Sequence, residues 1–165
     1  MKTLLVLRHA KSSWKDLDVT DHDRALNSRG ERDAPRIGKI IAAEEVRPDI
    51  ILSSTAKRAR RTAEAISDAL GLSGTAVVLD GRLYLAEPAE VVDVVRNARS
   101  DARCVLVVGH NPGLEVLVMR LTGHAEPLPT AAVAAVSLPM DSWRSLELRA
   151  MGQLQQVWRP RDLDP

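Results

Sequence analysis

The chain has 165 residues, of which 45% are hydrophobic and 27% are charged. This length suits a single domain with a hydrophobic core, and the composition is typical of a globular chain rather than a disordered or membrane one. The formal net charge of +1 excludes a strong positive field, so we expect neither nucleic acid nor a membrane as a partner. The longest apolar run beyond the N-terminus, residues 131–138, is too short to cross a bilayer, and we expect a cytoplasmic protein.

Strand and helix alternate in the first part of the chain. Thr3–Leu7 is a continuous aliphatic run, which is typical of a strand buried on both faces. A helix is predicted over roughly residues 31–46, with its start nearer Asp33 because Pro35 is unfavourable inside a helix. Asp49–Leu52 follows as a second, short strand.

The same alternation continues through the middle of the chain. The predicted elements are a helix capped by Ser54 that ends near Leu70, a strand over Thr75–Leu79, a helix over Pro88–Ala98, a strand over Arg103–Val108 and a helix that begins at Pro112. Alternating strands and helices predict a parallel sheet with helices on both faces. We therefore expect the α/β class, as a three-layer α/β/α sandwich with a mostly parallel central sheet.

The C-terminal part of the chain changes character. Three strand-like segments follow one another without helices between them: Ala132–Leu138, Ser145–Arg149 and Leu154–Trp158. They predict antiparallel edge strands toward the C-terminus. We expect one domain over residues 1–158 and a tail over residues 159–165, which is predicted to fray because its prolines and charges are hard to bury.

Cationic and imidazole side chains follow three of the predicted strands. Arg8 and His9 come after the first strand, Arg58 comes shortly after the second, and His110 comes after the fourth. In a parallel sheet these strand ends meet at one edge, which is where open α/β sheets bind their ligands. A crevice lined in this way would hold a dianionic phosphate, so we expect a phosphate or sulfate ion to bind there.

The same residues suit phosphoryl transfer through a covalent intermediate. A neutral imidazole such as that of His9 is a good nucleophile toward phosphorus, and water later resolves the phosphoenzyme. An arginine fork binds two phosphate oxygens at once, and Arg58 in the first turn of a helix adds the positive end of the helix dipole. Without further context, however, an Arg-His pair after a strand is also typical of a surface ion pair, and a histidine after a glycine is also typical of an ordinary loop.

Three motifs resemble those of a known family. Leu7–Ala10 resembles the Arg-His-Gly signature of the histidine phosphatase superfamily, with Ala10 in place of the glycine. Ser54–Ala63 resembles the second motif of that superfamily, and Val108–Gly113 resembles its third. The order and spacing of the motifs match the family, and together they extend over residues 4–113.

The resemblance implies a role for each of the residues at the strand ends. It implies that His9 is the catalytic nucleophile and that His110 is the second catalytic histidine. It implies that Arg8 and Arg58 bind the phosphoryl group of the substrate. No metal ion and no cofactor are expected. The roles of three neighbouring residues stay open between phosphate contacts and loop positions: Lys11, Ser12 and Arg24.

Within the superfamily, the chain looks most like the branch of SixA-type phosphohistidine phosphatases. This likeness rests on the short chain, on the stretch Arg24–Gly30 and on the Gly-His-Asn-Pro run. The larger mutases of the superfamily use a glutamate after the third strand as general acid, and here Gly81 stands in that place. Asp80 is a candidate substitute acid. The missing glutamate favours a phosphoramidate substrate, whose imidazole leaving group is readily protonated.

We therefore expect a phosphatase that removes phosphate from phosphohistidine on a partner protein through a covalent phosphohistidine intermediate. One alternative is a phosphatase of small phosphorylated metabolites that uses the same mechanism. Another is a non-catalytic phosphate-binding or signalling α/β module. A receiver-like signalling domain needs an acidic cluster at the end of its first strand, where this chain has Arg8 and His9 instead.

Overall fold

Strands and helices alternate along most of the chain, as the sequence predicts. The computed structural model describes residues 1–162. In that range the strands are β1 (Lys2–Arg8), β2 (Ile50–Ser53), β3 (Val77–Leu79), β4 (Cys104–Gly109), β5 (Val133–Leu138) and β6 (Gln153–Trp158). The α-helices in the same range are α1 (Ser28–Ala43), α2 (Lys57–Leu70), α3 (Pro88–Arg96) and α4 (Gly113–Thr122).

The strands form one sheet in the order β3-β2-β4-β1-β5-β6. Strands β3, β2, β4 and β1 run parallel, whereas β5 is antiparallel to β1 and β6 is antiparallel to β5. The register aligns the carboxyl ends of three strands, because Arg8 of β1 lies opposite Gly109 of β4, and Ser53 of β2 lies opposite Val108. A mostly parallel sheet with antiparallel strands toward the C-terminus is thus confirmed.

Helices cover both faces of the sheet, which is the middle layer of three. Leu4 and Val6 of β1 share a hydrophobic cluster with residues of α3 and α4. Leu5 and Leu7 of the same strand pack in a second cluster with residues of α1 and α2. Neighbouring residues on a strand point to opposite faces, so the aliphatic run of β1 is buried on both sides.

Helix α1 begins earlier than the sequence predicts. It starts at Ser28 rather than near Asp33, and the Asn27 side chain caps it by accepting a hydrogen bond of 2.9 Å from the Gly30 amide. Pro35 lies inside the helix, where it costs one backbone hydrogen bond. Tertiary packing outweighs that cost, because the inward face of the helix is fully buried against α2 and the sheet: Ala34, Ile37 and Ile41.

The predicted strand over Ser145–Arg149 is wrong. The structure has a 3₁₀ turn over Trp143–Ser145 and irregular backbone from there until β6 begins. Trp143 is buried in the core, and its indole N–H donates a hydrogen bond of 2.7 Å to the carbonyl of Ala102. The backbone turns inward to bury this ring instead of continuing along the edge of the sheet.

The end of the described chain contacts the rest of the domain. Arg159 donates hydrogen bonds to the Pro127 carbonyl at 3.0 Å and to the Glu126 carboxylate at 2.8 Å, and Pro160 is buried. Residues 163–165 lie outside the described residues, so a domain over residues 1–158 with a fraying tail stays a prediction. Among the helices of residues 1–162, none has the length and apolar character needed to cross a membrane.

Candidate active site

Three strand ends bring two histidines and an arginine into contact. His9 follows β1, Arg58 lies in the first turn of α2, and His110 follows β4. The centres of the two imidazole rings are 5.2 Å apart. Arg58 contacts both rings, with its Nε 3.3 Å from His9 Nε2 and its Nη2 3.5 Å from His110 Nδ1. All three residues are buried, so they form one desolvated cluster at the carboxyl edge of the sheet.

The backbone fixes which nitrogen of His9 carries the proton. His9 Nδ1 lies 2.8 Å from the carbonyl oxygen of Ala10, and it must therefore be the protonated nitrogen that donates this bond. Nε2 is then unprotonated, and its lone pair accepts a hydrogen bond from the Arg58 guanidinium. The loop is held in place from both sides, because the Ala10 amide donates to Thr62 Oγ1 at 3.0 Å and the His9 amide donates to the Gly109 carbonyl at 3.1 Å.

The Ser54 hydroxyl orients His110. Ser54 Oγ lies 2.8 Å from His110 Nε2, whereas His110 Nδ1 faces Arg58. The sequence predicts Ser54 as the cap of α2, but the helix begins at Lys57 after Ala56, and Ser54 contacts the histidine instead. A hydroxyl both donates and accepts, so His110 can carry its proton on either ring nitrogen. It can accept from Arg58 in the free site and donate to an oxyanion in an occupied one.

Burial lowers the pKa of both histidines. The pKa of His9 falls from 6.5 to about 4, chiefly because the ring is buried and in part because the Arg58 charge is near. The pKa of His110 falls to about 3, chiefly through burial, then through the charge that His9 carries when protonated, and then through the charge of Arg58. Both rings are therefore neutral near pH 7, and neutral imidazole is the form that has a lone pair for nucleophilic attack.

Arg8 lies at the edge of the same cluster. Its Nη1 donates to the Leu128 carbonyl at 3.3 Å, and burial lowers its pKa. Its charge also lowers the pKa of both histidines, so the guanidinium is close to them without a direct hydrogen bond. The Arg8 Nε is buried and has no hydrogen-bond partner among the described residues. Such an unpaired buried donor is unusual in a native interior.

Comparison with known proteins identifies the family of the chain. The family model of the histidine phosphatase superfamily (branch 1) matches residues 4–84, a range that includes Arg8, His9 and Arg58. An uncharacterized protein of Mycobacterium tuberculosis is 32% identical over 152 residues, which cover 86% of this chain and 92% of that protein. The chain belongs to the histidine phosphatase superfamily.

Solved structures share the fold of this chain along nearly all of its length. A candidate phosphohistidine phosphatase SixA from Agrobacterium tumefaciens superposes with a TM-score of 0.81 at 28% identity, covering 96% of this chain and 98% of that one. The protein histidine phosphatase SixA complexed with tungstate superposes with a TM-score of 0.83 at 22% identity, covering 98% of this chain and 99% of that one. Membership of this superfamily supports the view that the protein is a phosphatase.

Two residues that the sequence does not single out, Asp21 and Tyr84, contact the cluster of His9, Arg58 and His110. The Asp21 carboxylate accepts hydrogen bonds from Arg58 Nη2 at 3.1 Å and from Arg24 Nε at 3.2 Å, and it also accepts from the Tyr84 hydroxyl. The hydrogen bond from Tyr84, followed by the charge and the hydrogen bond of Arg58, lowers the pKa of Asp21 to about 2. The Tyr84 ring meets the His110 ring edge-on, with centres 5.5 Å apart. Asp21 is one of several aspartates in a polar loop, so nothing in the sequence distinguishes it.

The contacts of Lys11, Ser12 and Arg24 indicate what these three loop residues do. Arg24 Nη1 donates to Ser12 Oγ at 2.6 Å, and its guanidinium lies 3.5 Å from the ring centre of Trp14. Ser12 and Arg24 therefore hold each other and the loop. Arg24 also donates a hydrogen bond to Asp21, and its charge helps to lower the pKa of His9. The backbone carbonyl of Lys11 accepts from the Asn27 amide and ties the loop to the start of α1.

Asp80, the candidate substitute for the general acid, is hydrogen-bonded to Arg82. The Asp80 carboxylate accepts hydrogen bonds from the Arg82 side chain at 2.7 and 3.1 Å, and these bonds lower its pKa. An ionised carboxylate held in this way is a poor proton donor. Gly81, which the resemblance to the mutases aligns with their glutamate, has no side chain that could donate a proton. Among residues 1–162, no group of three or more His, Cys, Asp or Glu side chains is placed to hold a metal ion.

The lowered pKa of His9 predicts a pH dependence of stability. Because the pKa in the folded state, about 4, lies below the ordinary value of 6.5, the unfolded chain binds a proton first as the pH falls. The free energy of unfolding should therefore decrease from pH 6.5 toward pH 4, with His9 contributing up to about 3 kcal/mol. Urea unfolding at a series of pH values measures this decrease. The variant His9→Gln should show a flatter curve, and an unchanged curve would contradict the assignment.

Proposed function

We propose that this protein is a phosphatase that transfers the phosphoryl group of a phosphohistidine on a partner protein to its own His9 and then to water, in the cytoplasm. The observation that carries the proposal is the state of His9. Its Nδ1 is hydrogen-bonded to the Ala10 carbonyl. Its Nε2 is unprotonated, and the lone pair of Nε2 faces Arg58. A buried neutral imidazole beside a guanidinium suits nucleophilic attack on an anionic phosphoryl group.

In the first step, Arg8, Arg58 and His110 bind the phosphoryl oxygens, and His9 Nε2 attacks phosphorus. The bond between phosphorus and the imidazole nitrogen of the substrate breaks, and its electron pair stays on that nitrogen. When the other ring nitrogen of the substrate carries a proton, the leaving group is neutral imidazole. The two arginines stabilise the negative charge on the transferred group, which is most of what catalysis of phosphoryl transfer requires.

In the second step, water attacks the phosphorus of phosphorylated His9. The bond between phosphorus and Nε2 breaks, and its electron pair returns to Nε2. Inorganic phosphate leaves, and the proton released by the water passes to phosphate and solvent. The bond from His9 Nδ1 to the Ala10 carbonyl holds the ring in one orientation through both steps.

The acid-base properties of the site favour a phosphoramidate over a phosphate ester. An alkoxide leaving group needs a proton from a general acid, which typically contributes about 10²–10⁴-fold to the rate. The carboxylate of Asp21 and that of Asp80, the candidate substitute acid, both have lowered pKa values and are ionised near pH 7. A phosphohistidine whose second ring nitrogen is protonated does not need such an acid.

A panel of substrates tests the proposal. We expect kcat/KM for a phosphohistidine peptide to exceed that for a phosphoserine peptide or 3-phosphoglycerate by at least about 100-fold, the contribution of the missing acid. p-Nitrophenyl phosphate, whose leaving group needs little protonation, should fall between them. Preference for 3-phosphoglycerate would favour the alternative of a metabolite phosphatase. Binding of phosphate without turnover of any substrate would favour a non-catalytic module.

A further inference from the structure

Arg58 makes two separate sets of contacts. Its Nη1 donates to the backbone carbonyl of Asp21 at 2.7 Å, and its Nη2 donates to the carboxylate of the same residue at 3.1 Å. Its Nε points instead to His9 Nε2, and Nη2 also lies 3.5 Å from His110 Nδ1. Asp21 thus holds the outer end of the Arg58 guanidinium, while the side of the guanidinium faces the two histidines.

Burial explains why the outer end needs a charged partner. The Arg58 side chain is 3% exposed, and a guanidinium has five N–H donors that must find acceptors when water is excluded. The histidine nitrogens are neutral acceptors and do not balance its charge. The Asp21 carboxylate balances the charge of Arg58 in an ion pair, and the Asp21 side chain is 43% exposed.

Asp21 is itself held from two further directions. Arg24 Nε donates to Asp21 Oδ1, and the Tyr84 hydroxyl donates to Oδ2. Arg24 is in turn fixed by Ser12 and by the ring of Trp14. Contacts outside the histidine cluster therefore fix the position of the Asp21 carboxylate. The carboxylate in turn fixes the position of the Arg58 guanidinium.

We propose that Asp21 is a positioning residue, which holds the outer end of Arg58 so that its Nε and Nη2 are presented to the phosphoryl group at His9. The proposal deepens the function given above and depends on it for the identity of the substrate. The opposite effect is also conceivable from charge alone, because a carboxylate bound to Arg58 competes with an incoming phosphate. The two effects differ in sign, since positioning strengthens phosphate binding and competition weakens it.

The test measures inorganic phosphate affinity by calorimetry and kcat/KM with the phosphohistidine peptide in the same variants. We expect Asp21→Ala to bind phosphate more weakly and to lose about 10- to 100-fold in kcat/KM, as small misplacements of a binding group do. The backbone carbonyl of residue 21 still accepts from Arg58 Nη1, so the loss should be smaller than in Arg58→Ala. Asp21→Asn should recover only part of the loss, because its amide oxygen still accepts from Nη2 but carries no charge to balance the guanidinium.

Asp23→Ala is the matched control. Asp23 lies on the same 3₁₀ turn, its side chain is 67% exposed, and it contacts His22 rather than Arg58. It should behave like the wild type in both measurements. Thermal unfolding of each variant separates positioning from a loss of folding; if Asp21→Ala is unfolded, Asp21→Asn and Tyr84→Phe carry the test, and both should weaken phosphate binding in a folded protein.

Tighter phosphate binding or unchanged kinetics in folded Asp21→Ala would overturn the positioning role. A wild type that binds phosphate but does not hydrolyse phosphohistidine would instead overturn the proposed function. The calorimetric comparison would still decide the role of Asp21 in that case, because it does not depend on turnover.

Discussion

Replacing His9 with alanine should reduce hydrolysis of phosphohistidine by at least about 10³-fold, which is the scale of losses seen when a covalent nucleophile is removed. His9 Nε2 is unprotonated, with its lone pair directed at Arg58, and Nδ1 is hydrogen-bonded to the Ala10 carbonyl. We do not expect His110 to replace it, because its Nε2 is engaged with Ser54 and its proposed role is to bind the phosphoryl group. The loss should therefore be in kcat more than in KM.

Rapid quenching during turnover measures the intermediate directly. The wild type should carry one phosphate on His9, stable to base and labile to acid, and the variant should carry none. His124→Ala is the control, since His124 is exposed and outside the cluster, and it should keep full activity. Normal hydrolysis by His9→Ala, or phosphate found on another residue, would contradict the mechanism.

Replacing Arg58 with alanine should be the second most damaging change. We expect kcat/KM to fall by about 10²–10³-fold, the scale of removing one group that stabilises the transition-state charge. Arg58 is the residue that touches both histidines, and its removal also leaves the Asp21 carboxylate without its main ion-pair partner. Arg58→Lys should recover little, because a single ammonium cannot reproduce the planar fork.

Steady-state kinetics and phosphate calorimetry test this prediction together. Arg61→Ala provides a control on the same helix, because Arg61 is 53% exposed and pairs with Glu64 rather than with the site. Both measurements should be unchanged in that variant. Rescue by Arg58→Lys to within a few-fold of the wild type would show that charge alone suffices, and that would contradict the role given to the fork.

The architecture follows from patterns that the sequence displays directly. The buried run of β1 and the strand-helix alternation predict the layers, because burial on both faces requires helices on both faces. The same patterns fail where packing competes with them. Ser145–Arg149 alternates like a strand, but the burial of Trp143 turns that backbone inward, and α1 extends through Pro35 because its inward face packs tightly.

By itself, the sequence determined the positions of Arg8, His9, Arg58 and His110, because a parallel sheet collects the residues that follow its strands at one edge. Only the tertiary structure decided which nitrogen of His9 is free, that burial keeps both histidines neutral, and that Asp21 holds Arg58. Asp21 lies 37 residues from Arg58 and 63 from Tyr84 along the chain. Such contacts have no local pattern, since they depend on where a polar loop folds over the sheet edge.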